Sequence, residues 1–456
     1  MLRPSQRLVA ARRLGCAAAL ALAALAAGGA PARASTFDTY GFSARAIAMG
    51  NALVASGLHY DAVYYNPANL LLRKRTHFGM GLRLVAPSLD VTPAGGDFAR
   101  LEPSTSSGFY FAMATPLSGV FDDKVGFGLA LYHPLTSGTR VESIDPKTPY
   151  FYRYQNLPDK LVFAASLAVE PVEWLRVGVG AQVLAAFDGD VIASLSLAEG
   201  RFTREEIDLS VRPAVSSMLG LSVGPLEGLR LGVAYRHALE LDYELPVRVT
   251  IEGVGDLDVL VRGTSLYTPN QLAVGVSWES APAPEVGVTI EAGITWEEWH
   301  LAPPAGALFL LTIDDSQVRP PTDPQDAPEA IIDVSAAPIP LGARDTVTPR
   351  VGAEWRIDDT WTVRAGWFWR PTPLPRPIYQ GNTLDASAHV VSLGGSVAFG
   401  DPLGVTSNPL LLDLTAQLTR LSTRAVEKAP GFEPEGAYTF GGTIWQVMID
   451  LRHDYL

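Results

Sequence analysis

Apolar and polar residues alternate with a period of two along most of the chain. Between residues 228 and 252 almost every odd position is apolar, and the even positions include Arg230, Glu240, Asp242 and Arg248. Side chains on a strand point alternately to its two faces, so this stretch predicts one long strand with an apolar and a charged face. At about 3.3 Å per residue it would extend roughly 75 Å. Such a strand is typical of the wall of a membrane β-barrel.

The same alternation recurs in segments separated by Gly, Pro, Asp and Ser turns. The first segment places Phe78, Met80, Leu82 and Leu84 on one face. The last places Trp445, Val447, Ile449, Leu451 and Tyr455 outward, with Gln446, Asp450, Arg452 and Asp454 inward. About fourteen such segments can be counted, and bacterial single-chain barrels have an even number of strands. The predicted fold is therefore all-β, a transmembrane antiparallel barrel of about fourteen strands.

The predicted connections alternate in length along the chain. Those after odd-numbered strands are long, including the ranges 92–105, 135–158, 190–205, 253–266, 373–385, 422–436 and the proline-rich 302–345. Those after even-numbered strands are short, as at 171–172, 225–227, 281–283 and 358–359. Long extracellular loops alternating with short periplasmic turns are the pattern of outer-membrane barrels.

The N-terminal sequence indicates the cellular location of the protein, and its charge excludes some classes of ligand. Basic residues up to Arg13, an Ala/Leu run and Ala32-Arg33-Ala34 predict a secretory signal peptide over residues 1–34, and we expect an outer-membrane location after cleavage. The only cysteine, Cys16, lies within it, so the mature chain would form no disulfide and no thiolate metal site. A net charge of -13 argues against nucleic-acid binding. We expect no cofactor and no metal.

Residues 35–75 lack the strand period and are rich in Ala and Gly. We expect a short helix from Ser43 to Ala55, apolar at Ile47 and Val54. Some forty residues without strand character before a barrel most simply lie inside it as a plug. The sequence thus divides into the signal peptide, an N-terminal hatch over 35–75 and the barrel over 76–456.

Two motifs resemble a known family. The first combines Gly41-Phe42-Ser43-Ala44-Arg45 and Met49-Gly50-Asn51-Ala52 with Asp61 and Asn66-Pro67-Ala68; the second is Thr362-Val363-Arg364-Ala365-Gly366-Trp367 followed by Pro371-Thr372-Pro373. Both resemble the FadL/TodX family of outer-membrane transporters for long-chain fatty acids and aromatic hydrocarbons. The resemblance implies a barrel blocked by its hatch, passive uptake of hydrophobic small molecules, and lateral release beside a kinked third strand. It also implies that Asn66, Pro67 and Ala68 hold the hatch against that kink.

Several residues are candidates for contact with a hydrophobic ligand. In the hatch these are Phe42, Ile47, Met49, Val54, Tyr64 and Tyr65, which could equally pack the hatch against the wall. Inward arginines, Arg364 above all, could bind a carboxylate head group, although Arg83, Arg176, Arg230, Arg350 and Arg364 could instead pair with inward acids such as Glu240, Asp242, Glu291 and Glu354. Six further aromatic residues are predicted to be anchors at the membrane interfaces: Tyr267, Trp278, Trp296, Trp299, Trp367 and Trp445.

Enzymatic motifs are weak, and we expect no enzyme. Gly220-Leu221-Ser222-Val223-Gly224 matches G-x-S-x-G, but a nucleophile elbow requires a helix after the serine, and Pro225 and a tight turn follow here. Gly178-Val179-Gly180 places small residues inward on a strand and lacks the third glycine of a phosphate-binding loop. The alternatives are a barrel with a structural or lipid-hydrolase role and a general porin. Expected partners are the hydrophobic ligand, outer-membrane lipids with lipopolysaccharide, and the barrel-assembly machinery.

Overall fold

The structure is a computed structural model of the chain. It describes residues 36–95, 98, 100, 102–135, 147–154, 161–196, 201–251, 255–281, 286–304, 308–314, 330–335, 339–402, 404 and 408–455. The predicted signal peptide lies outside these residues, as do parts of the predicted long loops.

The described chain consists of three short helices followed by twenty strands. The helices are α1 (Thr36–Tyr40), α2 (Ala44–Ala48) and α3 (Ala62–Tyr65), and a 3-10 helix covers Pro67–Leu71. The strands are β1 (His77–Pro93), β2 (Ser106–Leu117), β3 (Val125–Pro134), β4 (Tyr150–Phe151), β5 (Val162–Val172), β6 (Leu175–Ser196), β7 (Arg201–Leu226), β8 (Leu229–Arg236), β9 (Leu239–Ile251), β10 (Gly255–Thr268), β11 (Gln271–Glu279), β12 (Gly287–Glu297), β13 (Leu308–Asp314), β14 (Ala330–Ser335), β15 (Thr346–Arg356), β16 (Trp361–Arg370), β17 (Thr383–Leu384), β18 (Ala388–Phe399), β19 (Leu410–Glu427) and β20 (Ala437–Asp454). Within the described residues, no helix has the length and apolar character needed to cross a membrane.

A closed antiparallel barrel of 14 strands forms the body of the molecule. Its wall runs β1, β2, β3, β5, β6, β7, β8, β11, β12, β15, β16, β18, β19 and β20. Closure comes from β20, which pairs with β1 from His77↔Asp454 to Pro93↔Tyr438. The predicted fold class is therefore confirmed, and the pairing of the last strand with the first leaves the barrel no free edge.

The outer face of this barrel is apolar. Large apolar side chains are exposed on strands all around it, among them Leu82, Leu167, Leu231, Ile294, Trp355, Leu393 and Ile449. Soluble proteins rarely expose contiguous apolar patches larger than a few hundred Å². The barrel is therefore a transmembrane one, with hydrocarbon as the solvent of its outer face.

The long strand predicted over residues 228–252 is interrupted. β8 ends at Arg236 and β9 begins at Leu239, although both parts keep one register: Arg236 pairs with Gln271, and Leu239 with Thr268. β9 and β10 thus continue the β8–β11 hairpin beyond the wall. The prediction of a loop over 253–266 was wrong, because β10 occupies most of it, and the range 302–345 likewise contains β13 and β14.

The helix predicted from Ser43 to Ala55 is also shorter than expected. The Ser43 side chain caps α2 by accepting a hydrogen bond from Ala46 N. The helix ends before Gly50 and Asn51, which both adopt positive φ values of 61° and 58°. A left-handed pair at this point reverses the chain and prevents the helix from continuing.

Candidate functional site

Residues 36–72, which we call the N-terminal segment, contact widely separated strands of the wall from inside. Ala44 N donates to Asp450 Oδ2 on β20 at 2.5 Å. Ala55 N and Ser56 N donate to the Glu291 carboxylate on β12 at 2.9 and 2.7 Å. Because these strands lie far apart on the circumference, the segment extends across the bore.

A chain of buried charges attaches the segment to the wall. Arg45 Nε of α2 lies 2.9 Å from Glu354 Oε2, and Arg364 Nε lies 2.7 Å from the same oxygen. Arg364 Nη1 lies 2.8 Å from Asp413 Oδ1, and Asp413 Oδ2 accepts a hydrogen bond from Arg452 Nε at 3.2 Å. Burial favours the neutral form of Arg45, but Glu354 and Asp61 outweigh it and hold its pKa above the usual value. This charge network fixes one side of the segment.

Breaking this network from within the wall should be costly. In Asp413→Asn the guanidinium groups of Arg364 and Arg452 lose their shared carboxylate while they stay buried. We expect the free energy of unfolding to fall by about 3–5 kcal/mol, measured by urea unfolding in lipid vesicles with tryptophan fluorescence. Asp359→Asn, in an exposed turn, is the matched control and should change stability by less than about 0.5 kcal/mol. Equal unfolding midpoints for the two variants would contradict the assignment.

Glycines on the inner face of the wall allow the segment to approach the strands closely. A methyl group added at Gly366 would lie 2.0 Å from Gly50 N, and one added at Gly232 would lie 2.1 Å from Val54 O. Similar close approaches to the segment occur at Gly79, Gly128, Gly178, Gly220, Gly352 and Gly394. No Cβ atom tolerates such distances, so this glycine girdle is shaped to the backbone and side chains of the segment.

Aromatic rings fill the space between the segment and strands β2 and β3. Phe42 packs against Tyr110 of β2 with ring centroids 5.0 Å apart, and Phe37 lies 5.7 Å from Tyr132 of β3. Tyr64 packs on Phe37 at 5.1 Å. All five rings are buried. The rings give this part of the bore a largely apolar lining, while the hydroxyl of Tyr110 donates to Asp450 Oδ2 and that of Tyr64 accepts from Arg236.

A small cavity lies between the segment and one part of the wall. A cavity of about 40 Å³ is lined by Asn51, Val54, Tyr64 and Tyr65 of the segment, and Arg236 and Arg350 are among its wall residues. Sites that bind small molecules usually enclose about 300–1,000 Å³. This cavity is too small to hold a hydrophobic ligand while the segment stays in place.

A second structure lies across the outer mouth. β4 and β17 pair in parallel, and with residues 150–154 and 383–388 they form what we call the strap. Phe151 and Leu384 are fully buried, and Phe151 packs 6.0 Å from Phe440 of β20. A buried ion pair of 3.2 Å joins Arg153 Nε to Asp385 Oδ2. The strap thus closes over the outer half of the bore.

The strap also contacts the N-terminal segment and carries a cleft. The ring of Tyr154 lies 6.5 Å from that of Tyr40, so the two obstructions touch. On its outer side a cleft of about 490 Å³ is lined by Tyr150, Ile339, Leu341, Ile378, Tyr379 and Phe432, among others. The cleft has the size and the apolar lining of a ligand site, and Tyr150 and Thr383 of the strap form part of its wall.

The structure brings the sequence candidates together in the segment. Val54, Tyr64 and Tyr65 line the small cavity. Ile47, Met49 and Phe42 are buried in the contact between segment and wall. Ligand contact by these residues stays a prediction, since each also has a packing role.

The motif Asn66-Pro67-Ala68 contacts strands β6 and β7 directly. Asn66 Nδ2 donates to Leu221 O of β7 at 3.0 Å, and a methyl group at Gly178 of β6 would lie 2.3 Å from Ala68 N. β3, the third strand, pairs with β2 and β5 without any register shift. The motif braces β6 and β7, where inward glycines make room for it, and its role against a kinked third strand stays a prediction.

Arg364 is bound by carboxylates of the wall, and two of the six predicted interface anchors are buried inside the molecule. Arg364 forms ion pairs with Glu354 and Asp413. Of the two alternatives for the inward arginines, pairing with inward acids is therefore the one that Arg364 follows. Trp278, Trp367 and Trp445 are exposed on the outer face. Tyr267 and Trp299 are buried, with ring centroids 5.7 Å apart, and Trp299 lies 4.3 Å beneath the Arg153 guanidinium. These two support the strap instead of the membrane interface.

The remaining chemical motifs hold no reactive arrangement. Ser222 is fully buried within β7, and a strand, not a helix, follows the turn after it. In the described residues one group of three potential metal-binding side chains occurs, His59, His77 and Asp454, with their ligand atoms within 4.8 Å of one another. Arg452 Nη1 approaches His59 Nε2 at 2.7 Å, and burial together with Arg452 lowers the pKa of His59 well below its usual value. This positive charge would repel a metal cation.

The sequence could have revealed the glycine girdle but not the strap. Inward glycines at every second position, such as Gly178 and Gly180, are visible as small residues on the polar face of a strand. The strap has only two paired positions, Tyr150↔Thr383 and Phe151↔Leu384, separated by more than two hundred residues. A strand of two residues is too short to show an alternation of apolar and polar positions in the sequence.

Comparisons with known proteins agree with this architecture. The chain is 24% identical over 415 residues to "Alkane uptake protein A" of Marinobacter nauticus, covering 85% of this chain and 84% of that protein. Among solved structures it resembles a FadL homologue of Pseudomonas aeruginosa (TM-score 0.53, 14% identity, 93% of this chain and 98% of the other). It also resembles the toluene transporter TbuX of Ralstonia pickettii (TM-score 0.52, 18% identity, 92% and 100%). No family profile matches the chain. The resemblance to FadL/TodX-type transporters is thus confirmed, and the fold is theirs.

Proposed function

We propose that this protein is a passive outer-membrane channel for the uptake of hydrophobic molecules, such as long-chain fatty acids or aromatic hydrocarbons, and that residues 35–75 act as its hatch. The observation that carries the proposal is the contrast between the two ends of the path. An apolar cleft of about 490 Å³ lies outside, and the cavity between the segment and strands β8, β11, β12 and β15 has only about 40 Å³. An open aqueous pore would serve a porin, whereas a filled bore with an apolar entrance suits a ligand that avoids water.

The cleft supplies the driving force for capture. Apolar surface removed from water stabilises the bound state by roughly 25 cal/mol per Å², so burying about 200 Å² of a ligand contributes about 5 kcal/mol before association costs. The net affinity is then moderate, which allows the ligand to proceed inward. No nucleotide or ion gradient is required, because the ligand moves down its own gradient.

Passage inward requires two rearrangements in series. The strap must leave the outer mouth, which exposes Phe151 and Leu384 to an incoming apolar ligand. The N-terminal segment must then loosen from the glycine girdle, starting next to Tyr40, where strap and segment touch. The charge network through Arg45 keeps the segment attached on its other side, so that it rearranges without leaving the barrel.

The relatives support this ligand class. The names of two of them refer to alkane uptake and to toluene transport. A signal peptide over residues 1–34 would deliver the chain across the inner membrane, and the barrel-assembly machinery would insert it beside outer-membrane lipids and lipopolysaccharide. No enzymatic step belongs to this function.

Deleting residues 36–72 tests the role of the segment. In cells that express the wild-type chain we expect uptake of radiolabelled oleate or hexadecane and no increased entry of a large hydrophilic antibiotic. The deletion should abolish the selective uptake or replace it by a leak to the antibiotic. Ser222→Ala serves as the control for a lipase role and should leave both readouts unchanged. Selective uptake that survives the deletion would contradict the hatch assignment.

A further inference from the structure

Three side chains form a row across neighbouring strands on the outer face of the barrel. Trp369 of β16 lies opposite His389 of β18, and His389 lies opposite Arg420 of β19. All three residues are exposed, so their side chains point away from the bore. Residues directly opposite each other in an antiparallel pair have Cβ atoms about 4.5–5.5 Å apart. The indole, the imidazole and the guanidinium therefore share one surface, which we call the basic row.

The basic row lies at the extracellular end of the apolar belt. Trp361 and Trp369 both face outward on β16, and their separation along the strand is about 26 Å, or roughly 20 Å of height after tilt. The apolar band of outer-membrane barrels is about 25 Å tall and has aromatic residues at both edges. Trp361 follows the short turn after β15, whereas Trp369 precedes the long connection to β18. Trp369 thus marks the outer leaflet of the membrane.

The residues on either side of the basic row show that the apolar surface ends there. Towards the periplasm the exposed side chains of β16, β18, β19 and β20 are apolar: Trp367, Val391, Leu393, Leu414 and Trp445. At the level of the row, Arg420 is opposite Thr443 of β20, which is opposite Ser88 of β1. Above it, Ser422 of β19 is exposed. The basic row is therefore at the height of lipid head groups, with acyl chains below it.

The cation of the row has no acidic partner in the protein. Among the described residues no ion pair or hydrogen bond joins the Arg420 side chain to an acid, whereas the inward Arg364 and Arg452 both pair with Asp413. An outward acid of the same region, Asp90 of β1, is two strands away, about 10 Å at the usual strand spacing, and accepts from Thr92. The positive charge of Arg420 is thus left for a group outside the protein.

The imidazole of the row is held in place beside Arg420. His389 stacks on Trp367, with ring centroids 6.1 Å apart and ring planes at 26°. This stacking keeps an imidazole N–H on the outer face of the strand next to the guanidinium. Two basic groups opposite each other repel when the imidazole is protonated, and an anion that binds between them removes that cost.

The chemistry of the row suits a phosphate group that carries acyl chains. Guanidinium donors form charge-assisted and often bidentate hydrogen bonds to phosphate oxygens, and an imidazole N–H can donate to the same group. Lipid A, the membrane part of lipopolysaccharide, has phosphates on its sugars directly above its acyl chains. With a phosphate at Arg420, these chains would extend down the surface formed by Val391, Leu393 and Leu414.

We propose that the basic row binds a phosphate group of lipopolysaccharide through Arg420 and His389, with the acyl chains of the lipid against the apolar surface below. Lipopolysaccharide is chosen over a phospholipid because the row lies in the outer leaflet, where lipopolysaccharide is the characteristic lipid. The site goes beyond the proposed function: it fixes the barrel to the lipids around it, whatever molecule passes through the bore.

Native mass spectrometry of the purified, delipidated protein tests the site. The protein in mild detergent is titrated with diphosphoryl lipid A, and the dissociation constant of the tightest-bound lipid is measured. We expect saturable binding, and Arg420→Gln should raise this constant about tenfold, the effect of one lost charge-assisted hydrogen bond. His389→Gln should raise it less. Arg75→Gln, an exposed arginine before β1 at the other end of the barrel, is the matched control and should leave it unchanged.

The lipid and the variant each provide a result that would overturn the proposal. Lipid A without its phosphates should bind the wild type and Arg420→Gln equally weakly, and if it bound the wild type as tightly as the diphosphoryl form, the phosphate site would be wrong. Phosphatidylglycerol that displaced lipid A at a lower concentration than lipid A itself would show that the occupant is a phospholipid. Wild-type affinity in Arg420→Gln, with folding verified by heat-modifiable gel migration, would refute the site.

Discussion

Gly366→Leu is expected to convert the closed barrel into one that conducts ions. A methyl group at this position would already lie 2.0 Å from Gly50 N and 2.3 Å from Met49 C, both backbone atoms of the N-terminal segment. Backbone atoms cannot adopt another rotamer as a flexible side chain can, so the N-terminal segment must be displaced from its position against the wall. Overpacking typically costs about 1–3 kcal/mol, which shifts the ratio of seated to displaced segment roughly 5- to 150-fold.

Planar-bilayer recordings measure this shift as the fraction of time that a channel spends open. Gly400→Leu is the matched control, because nothing lies within 4 Å of a methyl group added there, and its open fraction should equal that of the wild type. Gly232→Val, which would meet Val54 O at 2.1 Å, should act like Gly366→Leu from another strand. If both girdle variants fold and remain as silent as the control, the segment does not seal the bore.

Locking the segment to the wall should have the opposite effect and stop transport. A Cβ atom built at Gly275 lies 3.4 Å from Val54 Cβ, close to the separation in a disulfide. The only cysteine of the chain, Cys16, lies in the predicted signal peptide, so Val54→Cys with Gly275→Cys would introduce a defined pair. We expect oleate uptake to fall to the level of cells without the protein under oxidising conditions.

Reduction provides the internal control for this variant. A reducing agent should restore uptake in the same cells, and each single cysteine variant should transport in either condition. Mass spectrometry of the tryptic peptides establishes how completely the disulfide has formed. Full uptake with the cross-link complete would show that the segment need not move at Val54, contrary to the proposed path.

The strand period predicted the wall well because the membrane imposes it. Every residue on the outer face of β16 or β20 must tolerate hydrocarbon, so the alternation persists along each strand and can be read directly. The same rule gave a wrong prediction of one continuous wall strand over residues 228–252, because β9 keeps the alternation although it is not part of the barrel wall. Its partner β10 (Gly255–Thr268) lies within a range predicted as a loop, although it keeps the alternation at Leu257, Val259 and Val261.

The interior was less predictable than the wall. Burial of Phe42, Ile47 and Met49 followed from their apolar character, but their contacts depend on glycines in strands far along the chain. The strap depends on a pair of distant residues, Arg153 with Asp385. A local pattern cannot show which distant charges will meet.

The most direct test of the whole account is the selectivity of the purified protein in liposomes. The same proteoliposomes are assayed for entry of a radiolabelled hydrophobe, such as hexadecane or oleate, trapped by an internal acceptor, and for swelling in small sugars. The account predicts faster hydrophobe entry than in protein-free liposomes and no swelling. Swelling in sugars without faster hydrophobe entry would identify a general porin and contradict it.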